Sequence, residues 1–245
     1  MNIMQPRLNI AKSACEIIRE EVRRLFTNKS SDALRNMPVR EILASKAVEH
    51  INTYYKLGES DFIHFTYLDD RRRLKIDNPD IIYNNDSHDD NSYVWVFSFL
   101  NDYENFCRKL PFWTLSISIE QNKETKFSII SNPIIDLLTF SERGSGSVNN
   151  QRKIRSLTSS EDILVCKSDD IPLPDILSKY KTLSLNSKSI ELIYLSMGII
   201  DFYVMSKDDT KKFQDCMLIA KEAGILSNQL SDYIILANEK NMNRL

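Results

Sequence analysis

Between Asn84 and Asn91 the chain gathers the side-chain oxygens that a hard divalent cation prefers: Asn84-Asn85-Asp86-Ser87-His88-Asp89-Asp90-Asn91, with one imidazole among them. The spacing is not that of a calcium loop, and no glycine supplies the sharp turn such a loop needs. The string reads as a solvated loop. His50 and His64 lie amid apolar residues and read as packed or surface histidines rather than catalysts. Cys107 has no base identifiable in the sequence beside it and reads as core. Gly144-Ser145-Gly146 is a turn, too short to cradle a phosphate, and no Gly-x-Ser-x-Gly, P-loop or zinc pattern occurs. Arg71-Arg72-Arg73 beside Asp69-Asp70 is a charge cluster of the kind that usually faces solvent, with a docking surface as the alternative.

The elements that would position such groups are those of an ordinary globular chain. Its 245 residues can bury a substantial core, with 42% hydrophobic and 27% charged residues. A net charge of -2 gives no basic field of the kind nucleic acid demands, so no direct nucleic-acid contact is expected. The four cysteines, Cys15, Cys107, Cys166 and Cys216, are widely spaced and show no Cys-x-x-Cys pair, so they read as buried thiols of a reducing compartment. Met1 to Arg7 holds no long apolar run, and no segment approaches membrane-spanning length. A cytoplasmic protein without membrane contact is expected.

Helical spacing of Leu8, Ala11, Cys15, Ile18, Val22 and Leu25 predicts a helix over Leu8 to Phe26, and a second spans Val39 to Tyr55. Alternation over Thr114 to Ile119 predicts a strand with Leu115, Ile117 and Ile119 on one face. Phe127 to Ile130 and Leu137 to Phe140 continue a meander. The second half reads as helix over Ser187 to Met197, strand over Ile199 to Val204, helix over Thr210 to Ala223 and strand over Tyr233 to Ala237. Lys167 to Asn186, with Pro172 and Pro174, reads as the joint between halves at 1–166 and 167–245 of one compact unit.

A more specific signal runs from Trp95 to Arg155. Trp95-Val96-Phe97-Ser98-Phe99-Leu100-Asn101-Asp102-Tyr103-Glu104-Asn105-Phe106, followed by Pro111 and Leu115-Ser116-Ile117-Ser118-Ile119, resembles the inositol monophosphatase family, and most closely its bacterial SuhB-type branch. The family pattern is W-V-I-D-P-L-D-G-T-T-N-F, then x-x-x-x-P-x-x-x-V-S-I. Glu142-Arg143-Gly144-Ser145-Gly146 with Asn150 matches the family's R-G-x-G turn, and Asn186 through Asp201 and Ala220 through Gly224 match its later motifs. Four of the five glycines fall on family glycine positions, where the backbone needs a residue without a side chain. The resemblance implies a mixed α+β fold, the layered αβαβα sandwich of the sugar phosphatases, and a homodimer.

The family hydrolyses phosphomonoesters with magnesium held by carboxylates, which activates water and neutralises the leaving phosphate. The resemblance lays the family's metal-binding aspartates on Ser98, Asn101 and Lys212, and its glutamate loop near Asn84. An ammonium about 4 Å from a divalent ion costs about 8 kcal/mol at an effective dielectric of about 20. The phosphate-receiving G-T-T of that turn falls on Asp102, Tyr103 and Glu104, and the carboxylates of Asp102 and Glu104 are expected to cap their own helix in the phosphate's place. The substrate-contacting glutamate falls on Met205. No catalytic residue, bound metal or cofactor is expected. These losses imply a catalytically inactive family member acting through protein contacts, with the transcription machinery as the partner implied by the SuhB-type branch. The alternatives are a magnesium-dependent inositol or sugar phosphate phosphatase with a rearranged metal site built from Asp102, Glu104 or Asp86, and a small-molecule sensor using the vestigial cleft.

Overall fold

The computed structural model describes residues 4–55, 61–66, 92–157, 162–168, 171–230 and 232–245. Asn84, the rest of the 84–91 string and the arginine run at 71–73 lie outside the described residues. The chain forms two compact units, Met1–Leu138 and Thr139–Leu245.

The first unit opens with helix α1, Gln5–Asn28, which starts earlier than the apolar stripe because Pro6 stands in its first turn, where a missing N–H costs nothing. Its buried face, Leu8, Ala11, Cys15, Ile18, Val22 and Leu25, is the one the spacing predicts. A short helix α2, Ser31–Asn36, is capped by the Ser30 side chain, which accepts from the Ala33 amide at 3.2 Å. Helix α3, Val39–Tyr54, buries Val39, Leu43, Ala44, Ala47, Val48 and Ile51. Strand β1, Asp61–Phe65, runs parallel to β2, Tyr93–Asn101. A five-residue helix α4, Tyr103–Cys107, leads to β3, Thr114–Gln121, antiparallel to β2. Strand β4, Glu124–Asn132, returns antiparallel through Asn122 and Lys123, both at positive φ (55° and 58°) as a tight hairpin requires.

Leu115, Ile117 and Ile119 share one face of β3, as alternation predicts. The opposite face is buried as well, with Ser116 and Ser118 at 2% and 3% exposure. Small hydroxyls fit a two-sided interior that a polar–apolar alternation does not reveal.

One buried carboxylate ties the unit's elements together. Asp61 accepts from Arg7 Nε and Nη2, each at 2.8 Å, from Trp95 Nε1 at 3.0 Å and from the Tyr55 hydroxyl at 3.3 Å. The start of α1, the residue after α3, β1 and β2 thus meet at one residue. The Arg7 guanidinium also lies 3.8 Å from the centre of the Tyr93 ring. Burial, with the Asp61 charge next, pushes the Tyr55 hydroxyl up to about 12, so it stays a donor.

Strand β5, Leu137–Glu142, carries the chain into the second unit, where β6, Ser147–Asn149, and β7, Arg152–Ile154, complete a meander. The expected joint, Lys167 to Asn186, includes the end of β8, Leu164–Lys167, a 3-10 turn at Asp175–Leu177 and β9, Lys181–Leu183. Helix α5, Lys188–Ser196, follows, then β10, Phe202–Ser206, and helices α6, Lys207–Lys212, and α7, Gln214–Glu222. Strands β11, Ile225–Gln229, and β12, Tyr233–Asn238, precede a terminal turn of helix, α8, Glu239–Met242. The second sheet has the order β11-β12-β10-β8-β9, with β8 parallel to both β9 and β10 and the rest antiparallel. Ile163, Val165, Leu177, Phe202, Val204, Ile235 and Ala237 form a core cluster in this unit.

Two expected boundaries move. The strand expected from Ile199 begins at Phe202, because Gly198 (φ 74°) closes α5 with paired bonds from its own N–H to Leu195 O and from Ile199 N–H to Tyr194 O. That closure turns Ile199 out to 50% exposure. The single helix expected over Thr210 to Ala223 is two, since Phe213 (φ -111°, ψ 39°) leaves the helical region between α6 and α7. The Ser206 side chain starts α6 at Lys207 by accepting from the Asp209 amide. All four cysteines are buried, and none forms a disulfide. Among the described residues no helix is long and apolar enough to cross a membrane.

Replacing Asp61 by alanine leaves the buried Arg7 guanidinium without its bidentate partner. D61A should lower the unfolding free energy by about 3–5 kcal/mol, read from urea denaturation.

Candidate functional site

The turn between β2 and α4 carries the first group of predicted positions. β2 loses register with β3 between Phe99 and Asn101, and Leu100 (φ 58°) and Asp102 (φ 63°) both take the left-handed conformation. A bulge of this kind re-aims side chains at the end of a strand. Asp102 stands where the family pattern has glycine, and a short polar residue is among the few that tolerate that backbone.

Ser98 and Asn101, where the resemblance lays two of the family's aspartates, bond to each other. Ser98 Oγ donates to Asn101 Oδ1 at 2.6 Å, and Asn101 Nδ2 donates to Thr114 Oγ1 across the strand pair at 3.3 Å. This neutral chain satisfies the Asn101 oxygen without a cation. The carbonyls between those positions are bonded too: Arg40 Nε donates to Phe99 O at 3.0 Å and Nη2 to Leu100 O at 2.8 Å. The same guanidinium lies 4.8 Å from the centre of the Tyr103 ring. Burial, and after it the Cys107 thiol, pushes the Tyr103 hydroxyl up to about 12, and it donates to Leu34 O at 2.9 Å.

Asp102 does not cap α4 with its side chain, contrary to expectation, because its left-handed backbone is not that of a capping residue. Glu104 does not cap either. It takes cations from its own unit, Arg35 at 2.7 Å and Arg108 at 2.5 Å. Bonds from Arg35, then Arg108, hold its carboxyl down at about 2. Asn105 and Pro111 serve the loop after α4, where Asn105 Nδ2 donates to Phe112 O at 2.7 Å. Asn132 Nδ2 reaches Pro111 O and Trp113 O in the same loop.

The second unit carries the remaining positions. Met205 is fully buried in β10. Lys212 is exposed in the last turn of α6. Its charge favours ionised Asp209, a carboxylate that the sequence reading did not single out. Asp209 is 4% exposed and accepts from Lys188 Nζ at 2.9 Å and from Ser168 Oγ at 3.0 Å. Burial raises the Asp209 pKa, but the bonds from Lys188 and Ser168 and the charges of Lys188 and Lys212 outweigh it, leaving it below the usual carboxylate range. The Gly144-Ser145-Gly146 turn is occupied by the protein's own anion: the Gly144 and Gly146 amides each donate to the Glu222 carboxylate at 2.9 Å. His50 is half-buried, with Nε2 2.7 Å from Ser13 Oγ and its ring against Tyr54.

The donor set described here does not fit a divalent cation. The side-chain oxygens of Ser98 and Asn101 are neutral and already bonded, and the Arg40 guanidinium holds the carbonyls of Phe99 and Leu100, whereas magnesium calls for charged oxygens with open lone pairs. Among the described residues no group of three or more His, Cys, Asp and Glu side chains is placed to hold a metal.

No protein-family model matches the chain. It is 26% identical over 253 residues to the Nus factor SuhB of Buchnera aphidicola, covering 92% of this chain and 86% of that protein. It is 23% identical over 157 residues to a fructose-1,6-bisphosphatase/inositol-1-monophosphatase of Thermotoga maritima, a match spanning 60% of this chain and 61% of that protein. Its fold matches the crystal structure of the extragenic suppressor protein suhB from Bartonella henselae with a TM-score of 0.73 at 17% identity, over 97% of this chain and 96% of that one. Two mixed sheets with flanking helices give the chain the mixed α+β fold of that structure. In sequence and in fold the chain is thus similar to inositol monophosphatases and to SuhB proteins.

The sequence located Ser98, Asn101, Asp102, Tyr103 and Glu104 on one turn, and the fold brings them together there. It did not locate Arg40, Arg35, Lys188 or Asp209. Arg40 is 59 and 60 residues from the carbonyls it holds, and nothing near it in sequence marks it. Lys188, directly after the matched Asn186-Ser187, was the one legible hint, because it puts a cation where the family has alanine.

Two outcomes check this account. R40A removes two charged hydrogen bonds from the bulge carbonyls and should lower the unfolding free energy by about 2–4 kcal/mol in urea titration. Glu104 has a depressed folded pKa, so its contribution is present above the unfolded value and is lost as pH falls through the folded one. The melting-temperature gap between wild type and E104Q should therefore be full at about pH 7 and close as pH falls from about 4.5 to about 2.

Proposed function

We propose that this chain is a catalytically inactive member of the inositol monophosphatase family, in its SuhB-type branch, that acts through protein contacts, as a cytoplasmic homodimer that joins the transcription machinery. The hydrogen bond from Ser98 to Asn101 carries the reading. At the two positions where the family pattern has metal-binding aspartates, the side chains satisfy one another, and Arg40 supplies a fixed positive charge to the carbonyls between them. A site of this kind offers neither the charge that recruits magnesium nor an open position for water. Met205, apolar and buried where the pattern has a substrate-contacting glutamate, supports the same reading.

The transcription role rests on similarity to proteins named Nus factor SuhB, two of which match more than nine-tenths of this chain. Fold alone does not assign such a role, and only the family name connects it to this chain.

The deciding experiment is calorimetric titration of magnesium into the purified protein, with hydrolysis of inositol 1-phosphate followed in parallel. The expected result is no heat above dilution and no phosphate release. Saturable magnesium binding with turnover would instead mean that carboxylates were relocated rather than lost, and the phosphatase reading would stand.

A further inference from the structure

A cavity of about 500 Å³ lies at the start of strands β8 and β9, lined by Asp162, Ile163, Leu164, Lys179, Tyr180 and Lys181. Leu164 and Lys181 are the first residues of the two strands and stand opposite each other in the parallel pair. Bonds to neighbouring elements hold this wall in place. Leu164 N–H donates to Asp201 Oδ2 and its carbonyl accepts from Asp201 N–H, each at 3.0 Å, which ties β8 to the residue before β10. The Tyr180 ring stacks on Phe202, with centroids 6.1 Å apart and planes at 13°, and both Ile163 and Phe202 belong to the core cluster. Tyr180 N–H donates to Leu177 O at 3.0 Å and so fixes the entry into β9.

The charges at this cavity are unequal. Lys179 and Lys181 are exposed, and among the described residues neither ammonium forms an ion pair or a hydrogen bond. The Lys179 ammonium lies 5.0 Å from the centre of the Tyr180 ring. Two lysines against one carboxylate, Asp162, leave a positive rim beside the apolar Ile163 and Leu164. Charge on a short edge strand such as β9 also deters unwanted pairing. That role needs no cavity, and Lys179 precedes the strand.

We propose that this cavity binds a small organic anion, with a carboxylate or phosphate group at the Lys179 and Lys181 ammoniums and an apolar body against Ile163, Leu164 and Tyr180. Its volume falls within the range of about 300–1,000 Å³ usual for small-molecule sites, which combine apolar walls with a few placed polar groups. Asp162 beside the lysines repels a polyanion, whereas one anionic group with an apolar remainder uses both the rim and the wall. The site is separate from the cluster of Ser168, Asp209 and Lys188. Ser168 follows the last residue of β8 and Lys188 lies beyond the end of β9, while the cavity lies where both strands begin. It is also independent of whether the chain is catalytic.

The test is calorimetric titration with phenylphosphonate and with benzoate, beside inorganic phosphate and benzyl alcohol as the charged and apolar halves alone. Phenylphosphonate carries no ester for a phosphatase to cleave. At least one of the two organic anions should bind saturably, and whichever does names the head group. Each half alone should bind at least about tenfold more weakly. K179E/K181E keeps the edge charged and breaks no side-chain bond among the described residues. It should retain the wild-type circular dichroism and lose about tenfold in affinity, as two exposed ion pairs of up to about fivefold each allow. On the wild-type chain the bound anion should slow acylation of Lys179 and Lys181 by an N-hydroxysuccinimide ester, read by mass spectrometry, and leave the exposed Lys153 of β7 unchanged. The proposal is overturned by any of three results: neither organic anion saturates, inorganic phosphate binds as tightly, or the ligand leaves acylation of Lys179 and Lys181 unchanged.

Discussion

A guanidinium bonded to two backbone carbonyls holds the turn on which the candidate site is built. Arg40, from the first turn of α3, takes the oxygens of Phe99 and Leu100, where the β2–β3 ladder breaks and two residues enter the left-handed region. A bulge leaves carbonyls out of the ladder, and half-buried carbonyls need a donor. Arg40 supplies it with a forked geometry that one ammonium would not match. From that anchored bulge follow the facing of Ser98 toward Asn101, the left-handed Asp102 and the start of α4.

The chemistry around the turn is closed on itself. Hard-cation sites work because several carboxylates are held near one another at a cost that only the cation offsets. Here no such unbalanced group is described. Ser98, Asn101 and Thr114 form a neutral relay, Glu104 is held between Arg35 and Arg108, and Glu222 occupies the amides of the Gly144 turn. The second unit has a part-buried ion pair, Asp209 and Lys188, steadied by Ser168. Each device pairs polar groups of the chain with one another.

Local reading succeeded where one element's own residues decide its form. The α1 stripe, the α3 stripe and the Leu115–Ile119 alternation follow from spacing, because one buried face repeats at the period of the element. It erred where hydrogen bonds at an element's end decide. Gly198 closes α5 and delays β10, and Phe213 divides α6 from α7. It passed over β11, whose short polar run of Ser227, Asn228 and Gln229 has no alternation to announce a strand, and which exists because β12 lies beside it.

The sequence by itself determined which residue types stand where the resemblance lays the family's metal, phosphate and substrate positions, and therefore that Ser98, Asn101 and Met205 bring no charge there. Residue identity is enough for that conclusion, since serine, asparagine and methionine carry no charge in any fold. Only the tertiary structure decided which partners the polar groups of the two units take. Arg40 meets Leu100 across 60 residues and Lys188 meets Asp209 across 21, contacts that no local pattern encodes. Partners brought together by chain closure are chosen by packing of whole elements, and a linear reading sees those elements one at a time.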